Sequence, residues 1–197
     1  TRMADGLMTS DFCVSLMKSR VAEIHAALDA AGRARESFRI SNVWAWHIKT
    51  DREVALREAR RELLLRGLLE RWYLETFLSA DECDLVERSK PAFFKAYRER
   101  SGVIADVPER LVASLLEHLT LTGTPDELEQ RLPELRAFKA AGVNELCFRL
   151  HDDPATACPL VVNDPVEERV EVEQEAGGVD RLHTRDRVRL VEAIVTP

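Results

Sequence analysis

Cysteine and histidine are sparse and scattered. The four cysteines, Cys13, Cys83, Cys147 and Cys158, contain no C-x-x-C pair, and the five histidines form no H-E-x-x-H. These absences argue against the common zinc frameworks and for free thiols in a reducing cytoplasm. No apolar run approaches the ~20 residues of a membrane span. Residues 1–20 lack the uninterrupted apolar core of a secretory signal. Positive charge is also in short supply: 28 Lys and Arg stand against 35 Asp and Glu, a net charge of −7. A phosphate backbone needs a basic stripe and none stands out, so nucleic acid is not an expected partner. Internal repeats and low-complexity segments are absent too.

What remains is an ordinary globular composition, 45% hydrophobic and 32% charged over 197 residues. That is enough chain for one domain with its own core. The most informative stretch is 122–154. Thr124 is placed to cap a helix that starts with Pro125, and Glu127 is placed to reach back to it, a reciprocal capping box. Leu128, Leu132, Leu135 and Phe138 recur on one helical face. Pro133 predicts a kink or a restart. Gly142 supplies a left-handed stop. Residues 143–150 then read as a strand buried on both faces, and His151, Asp152 and Asp153 follow where it would surface. This is the order of parts in the last helix–strand step of a parallel α/β barrel.

The same reading applies upstream. Residues 3–8 suit the end of a buried strand. Thr9, Ser10 and Asp11 could cap a helix from Phe12 to Ala31. Residues 38–49 form a second strand rich in branched and aromatic side chains, in which Asn42 and His47 would need partners if buried. Thr50 and Glu53 suggest another capping box. A long helix is expected over 51–77, with Val54, Ala55, Ala59, Leu63, Leu68, Trp72 and Phe77 facing inward. Its charged run from Arg57 to Glu62 reads as a solvated face with i,i+4 pairs. Ser79 with Glu82 starts a further helix, and Pro91 starts or kinks another carrying Phe93, Phe94 and Tyr97 as an aromatic cluster. Val107-Pro108-Glu109 opens one more, with Leu111, Val112, Leu115, Leu116 and Leu119 inside. Residues 79–119 thus look like a helical insertion. The tail, 158–197, has a different character. It offers a hairpin around Gly177-Gly178 or a helix over 184–195.

Several short pieces, in order, carry a resemblance: Ala4-Asp5-Gly6, Ala31-Gly32-Arg33 with Phe38-Arg39-Ile40, Asp51-Arg52-Glu53, and Ala92-Phe93-Phe94-Lys95-Ala96. Leu121-Thr122-Gly123-Thr124, Ala141-Gly142-Val143 and Arg149-Leu150-His151-Asp152-Asp153-Pro154 continue it. Over residues 3–157 the chain resembles the C-terminal part of the luciferase-like oxidoreductases. It is most similar to the deazaflavin-dependent branch related to methylenetetrahydromethanopterin reductase. The resemblance implies an α/β, helix-rich fold: the C-terminal portion of a (β/α)8 TIM barrel, about three parallel strands with the helical insertion 79–119. It implies hydride transfer between coenzyme F-420, a deazaflavin, or FMN and a small-molecule substrate. A full barrel takes about 250 residues, and the family's glycine-rich phosphate loop would lie before residue 1. The chain is therefore expected to be part of something longer. Residues 158–197 depart from the family pattern.

An isolated three-strand piece leaves an open sheet edge, so a homodimer is expected, and the alternative to an enzyme is a non-catalytic fragment acting as a dimerisation or interaction module. Barrel enzymes place chemistry at the C-terminal ends of their strands. Those ends put Trp46 and His47 against a flavin-like ring, and Arg149 or His151 near its polar edge, as cofactor- or substrate-binding candidates. The structural alternative makes Trp44 and Trp46 core aromatics. It makes Arg149, His151 and Asp152 a salt-bridged strand exit. No residue stands out as a catalytic acid, base or nucleophile.

Overall fold

The computed structural model describes residues 4–151 and the strand Val172–Gln174. Strands and helices alternate, except for a run of four α-helices between β2 and β3. Strand β1 (Gly6–Ser10) and helix α1 (Val14–Ala30) come first, then β2 (Arg39–Ile48) and α2 (Arg52–Glu62). A short α3 (Arg71–Leu74) precedes the long α4 (Ala80–Glu99) and α5 (Glu109–Leu119). The rest is β3 (Thr120–Gly123), α6 (Pro125–Ala140), β4 (Glu145–Leu150) and β5 (Val172–Gln174). Every pairing in the sheet is parallel. The three expected strands are present and neighbouring, in the order β1-β2-β4. This is a helix-rich, parallel α/β fold of partial-barrel type, as the sequence leads one to expect.

Two further strands complete the sheet. β5 extends it beyond β4, running parallel to Phe148–Leu150. The remainder of the tail, including Gly177-Gly178 and residues 184–195, lies outside the described residues. β3 is a strand that the sequence reading missed. It pairs with Ala45–Ile48 of β2, whereas β1 pairs with Arg39–Val43. The two short strands therefore follow one another along β2, while β4 pairs with Ser41–Trp46. β1 is exposed rather than buried: Leu7 is 45% and Met8 54% accessible.

Side chains alternate along a strand, so the register sorts residues by face. Ile40, Trp44, Trp46 and Ile48 share one face with Leu146, Phe148 and Leu150. This face carries α1 and α6: the Trp44 ring meets Phe138 of α6 edge-on at 4.9 Å, and Thr9 on β1 bonds Met17 of α1. Ser41, Val43, Ala45 and His47 share the opposite face with Glu145, Cys147 and Arg149. In a closed barrel that second face is the interior.

Helix starts are set locally. Ser79 and Thr124 each form a complete capping box, with Glu82 and Glu127. Both carboxyls are held below the usual glutamate range, Glu82 mainly by the Ser79 backbone N–H and Glu127 mainly by Arg52. Replacing Thr124 with alanine is expected to lower stability by about 1 kcal/mol, read as a shift in the urea midpoint. Pro125 starts α6 as expected, and Pro133 sits inside it without ending it. Pro91 likewise lies within the single helix α4. Gly142 follows α6 at φ +96, and a Cβ there would lie 2.8 Å from Val21.

Other expectations need correction. α1 has no side-chain cap from Thr9, Ser10 or Asp11, because β1 runs on to Ser10 and Asp11 turns away at φ 61. Asp51, not Thr50, caps α2 by accepting from Glu53 N and Val54 N. The long helix expected over 51–77 breaks after Glu62. It becomes two 3-10 turns, Leu63–Leu65 and Gly67–Leu69, and then α3. The break turns Leu68 and Trp72 outward, at 60% and 51% accessible, and Val54, upstream of it in the first turn of α2, is exposed as well at 42%. Phe94 and Tyr97 are exposed while Phe93 is buried, so these three do not form one aromatic cluster. The α5 leucines and Val112 are buried as expected.

Candidate functional site

The C-terminal end of the sheet's second face holds a closed polar cluster. It draws on β1, β2, β4 and the segment that follows β2. His47, with no exposed surface, shares a hydrogen bond of 2.8 Å between Nδ1 and Glu58 Oε1. Lys49 Nζ lies 3.1 Å from the other oxygen of Glu58. Arg66 Nη1 donates to Asp11 Oδ1 at 2.7 Å, and both side chains are enclosed. Arg61 donates to Glu62 at 2.7 Å. His151 stacks on His47, ring centroids 4.9 Å apart and 10° from parallel, and its Nδ1 lies 3.9 Å from Glu62.

The local fold explains why charges end up inside. Glu58, Arg61 and Glu62 lie at i, i+3 and i+4 on α2, so they share a face. That face is buried against the strand ends, the three residues being 4–7% exposed. The expected solvated face is thus the inward one over these three residues. A break in the helix then delivers Arg66 to Asp11. Gly67, Leu68 and Leu69 all have positive φ, as does Asp11. Non-glycine residues in this region cost of order 1 kcal/mol each and persist only where the surroundings enforce them. Here the buried pair and the Tyr73 ring against Gly67 hold the turn.

The four candidates from the sequence divide by face. His47, Arg149 and His151 come together on the second face, β2 and β4 being in register there. Trp46 does not join them. It lies on the helix-bearing face, 2% exposed, with its ring 4.9 Å from Phe148. For Trp44 and Trp46 the core reading therefore holds. His151 does not surface after the strand: its side chain is only 6% accessible. Asp152 and Asp153 lie outside the described residues. Sequence reasoning missed Asp11, Glu58, Glu62, Arg66 and Tyr73. Gly67 was the one available signal, since a glycine inside a helical pattern marks a possible break.

His151 is pushed down to about 2, first by burial and then by the nearby His47 and Arg66. A histidine neutral in the fold but free to protonate when unfolded stabilises fully above its ordinary value of 6.5, and that contribution erodes as pH falls. The expected loss is about 1.4 kcal/mol per pH unit below 6.5, or about 2 kcal/mol at pH 5. Denaturation midpoints at pH 7 and pH 5 should diverge accordingly, and His151→Gln should flatten the difference.

A cleft of about 550 Å³ lies at the other end of the strands, lined by Asp5, Glu36, Arg39, Lys139, Asn144 and Glu145. It is far from the histidine pair and of mixed charge. For chemistry the closed cluster is the stronger candidate, since it holds the buried titratable groups. Among the described residues, no group of three or more His, Cys, Asp or Glu is arranged to hold a metal ion. No described helix is long and apolar enough to cross a membrane.

The fold thus defines a parallel α/β chain of partial-barrel type with a buried polar cluster at its strand ends. No protein-family model matches the sequence, and no curated protein does. Among solved structures it is similar to the coenzyme F-420-dependent tetrahydromethanopterin reductase of Methanopyrus kandleri. The TM-score is 0.54 at 15% identity, covering 74% of this chain and 39% of that one. The likeness is one of fold, and the chain corresponds to well under half of the enzyme it matches.

Proposed function

We propose that this chain is part of a deazaflavin-dependent oxidoreductase of the luciferase-like kind, which moves a hydride between coenzyme F-420 and a small organic substrate. One observation carries the reading. His47, Arg149 and His151 converge at the C-terminal ends of parallel strands, where barrel enzymes hold their chemistry, in a fold like that of an F-420-dependent reductase. The residues present suit a flat cofactor in part: these three share the inner face, whereas Trp46 is turned from it. The cofactor supplies the hydride chemistry, and the protein supplies orientation, water exclusion and electrostatics. On this reading the Glu58–His47 bond fixes the imidazole's orientation, and Arg66 holds the covering turn in place.

The test is titration of the folded chain with oxidised F-420 and, separately, FMN, followed by absorbance. A saturable change with F-420 supports the reading. No change with either cofactor, on a chain shown folded by circular dichroism, sinks it. A second reading, an interaction module that pairs with a copy of itself, is favoured by the exposed Leu7 and Met8 on the edge strand β1. Sedimentation of the chain and of Met8→Lys separates the two, since a monomeric parent chain removes the second reading.

A further inference from the structure

The walls of the cleft at the N-terminal ends of the strands are three segments bonded to one another. Asn144 donates its backbone N–H to Ile40 O at 2.8 Å, and its Oδ1 accepts from Ile40 N at 2.7 Å. This ties the loop after α6 to the start of β2. Arg39 N donates to Asp5 O at 2.9 Å, which ties in the chain entering β1. The space between them, about 550 Å³, is therefore preformed. Its charges are unevenly matched. Asp5 lies 3.7 Å from Arg33, and Glu36 sits in the field of Arg35. Glu145 is different. It lines the cleft, is 6% exposed, and among the described residues its carboxylate has one partner, Ser41 Oγ, donating to Oε2 at 2.5 Å. A buried carboxylate without a cation is costly, so it calls for a positive partner. Arg39 and Lys139 are the reverse: exposed on the same cleft, with no ion pair among the described residues. They would repel a bare cation. An occupant with an anionic group at its other end satisfies both.

We propose that this cleft is a binding site for a small amino acid zwitterion, its ammonium on Glu145 and its carboxylate toward Arg39 and Lys139. Ser41 spends its hydroxyl proton on Oε2, which leaves Oε1 to accept from the ammonium. The site lies at the opposite end of the strands from the histidine cluster, so it is a second site that takes no part in chemistry there. It stands independently of the oxidoreductase reading.

The probe is 4-aminobutyrate, titrated into the folded chain without cofactor and followed by the amide NMR shifts of Gly142 and Asn144. Butylamine and butyrate, each lacking one charge, are the controls. Expected is saturable binding, tighter than that of either control. Glu145→Gln should weaken it by about tenfold or more, the loss of a charge-assisted bond. Its amide oxygen can still accept from Ser41, so the fold should hold. The double variant Arg39→Gln/Lys139→Gln changes only exposed side chains, and gives a reading even where Glu145→Gln does not fold. Its binding should fall by about fivefold. Absence of saturable binding overturns the proposal, as do shifts confined to the His47 cluster. Unchanged binding by a folded Glu145→Gln or by the double variant overturns it, and so does butylamine binding as tightly as 4-aminobutyrate. The F-420 titration reads the other end of the strands, so either result can fail while the other stands.

Discussion

Arg66→Met is expected to destabilise the chain by about 3–5 kcal/mol, a large part of the 5–15 kcal/mol that holds a typical domain together. The loss comes from the partner left behind. Asp11 is 2% exposed; without the guanidinium it would be a buried carboxylate facing an apolar side chain. Asp11→Asn should cost a similar amount while keeping a residue that tolerates the positive φ there. The double variant should recover much of the loss, since a buried pair contributes far less than the cost of breaking it. Arg35→Met is the control. Its bidentate contact with Asp29 lies on the surface, about half exposed on both sides, and the urea midpoint should not move. If Arg66→Met behaves like Arg35→Met, the pair does not hold the turn.

Trp44→Ala is the second large effect, at about 3–5 kcal/mol. The side chain is fully buried between β4 and α6, and its removal opens a cavity that α6 cannot close without leaving the sheet. Trp44→Phe should cost far less. It keeps an aromatic ring against Phe138 and removes an indole N–H that has no partner among the described residues. Circular dichroism in urea separates the two variants. A mild Trp44→Ala would mean that the aromatic face does not carry the packing of α6.

Capped starts and one-sided patterns were legible in the sequence. Ser79 and Thr124 cap where their spacing to glutamate says they should, and the leucines and Val112 of α5 are buried. The strand 143–150 was legible as an apolar run between Gly142 and a polar exit. β3 was not. Its four residues follow α5 directly, and only pairing with the distant residues 45–48 makes them a strand. Nor was the polar cluster. Glu58, Arg61 and Glu62 have the spacing of a solvated ion-paired face, and spacing alone does not say which face is buried. What settles it is the strand end opposite, and His47 was read as needing a partner without showing which. Trp46 lies apart from His47 for a simpler reason: neighbours in a strand point to opposite faces.

The succession of β1 and β3 along one edge of β2, with β4 on the other, has a kinetic side. Backbone groups in the middle strand find their partners only after chain on both sides of it has arrived, some of it from beyond residue 140. Such non-local closure is slow. During synthesis residues 39–48 would wait, aromatic and half-paired, for β4 to emerge. Once closed, their amides should exchange with deuterium last of all, near the rate set by global unfolding, while those of β1 exchange early. The strand that presents His47 thus waits on chain from both sides of it, and once paired it is the one released last.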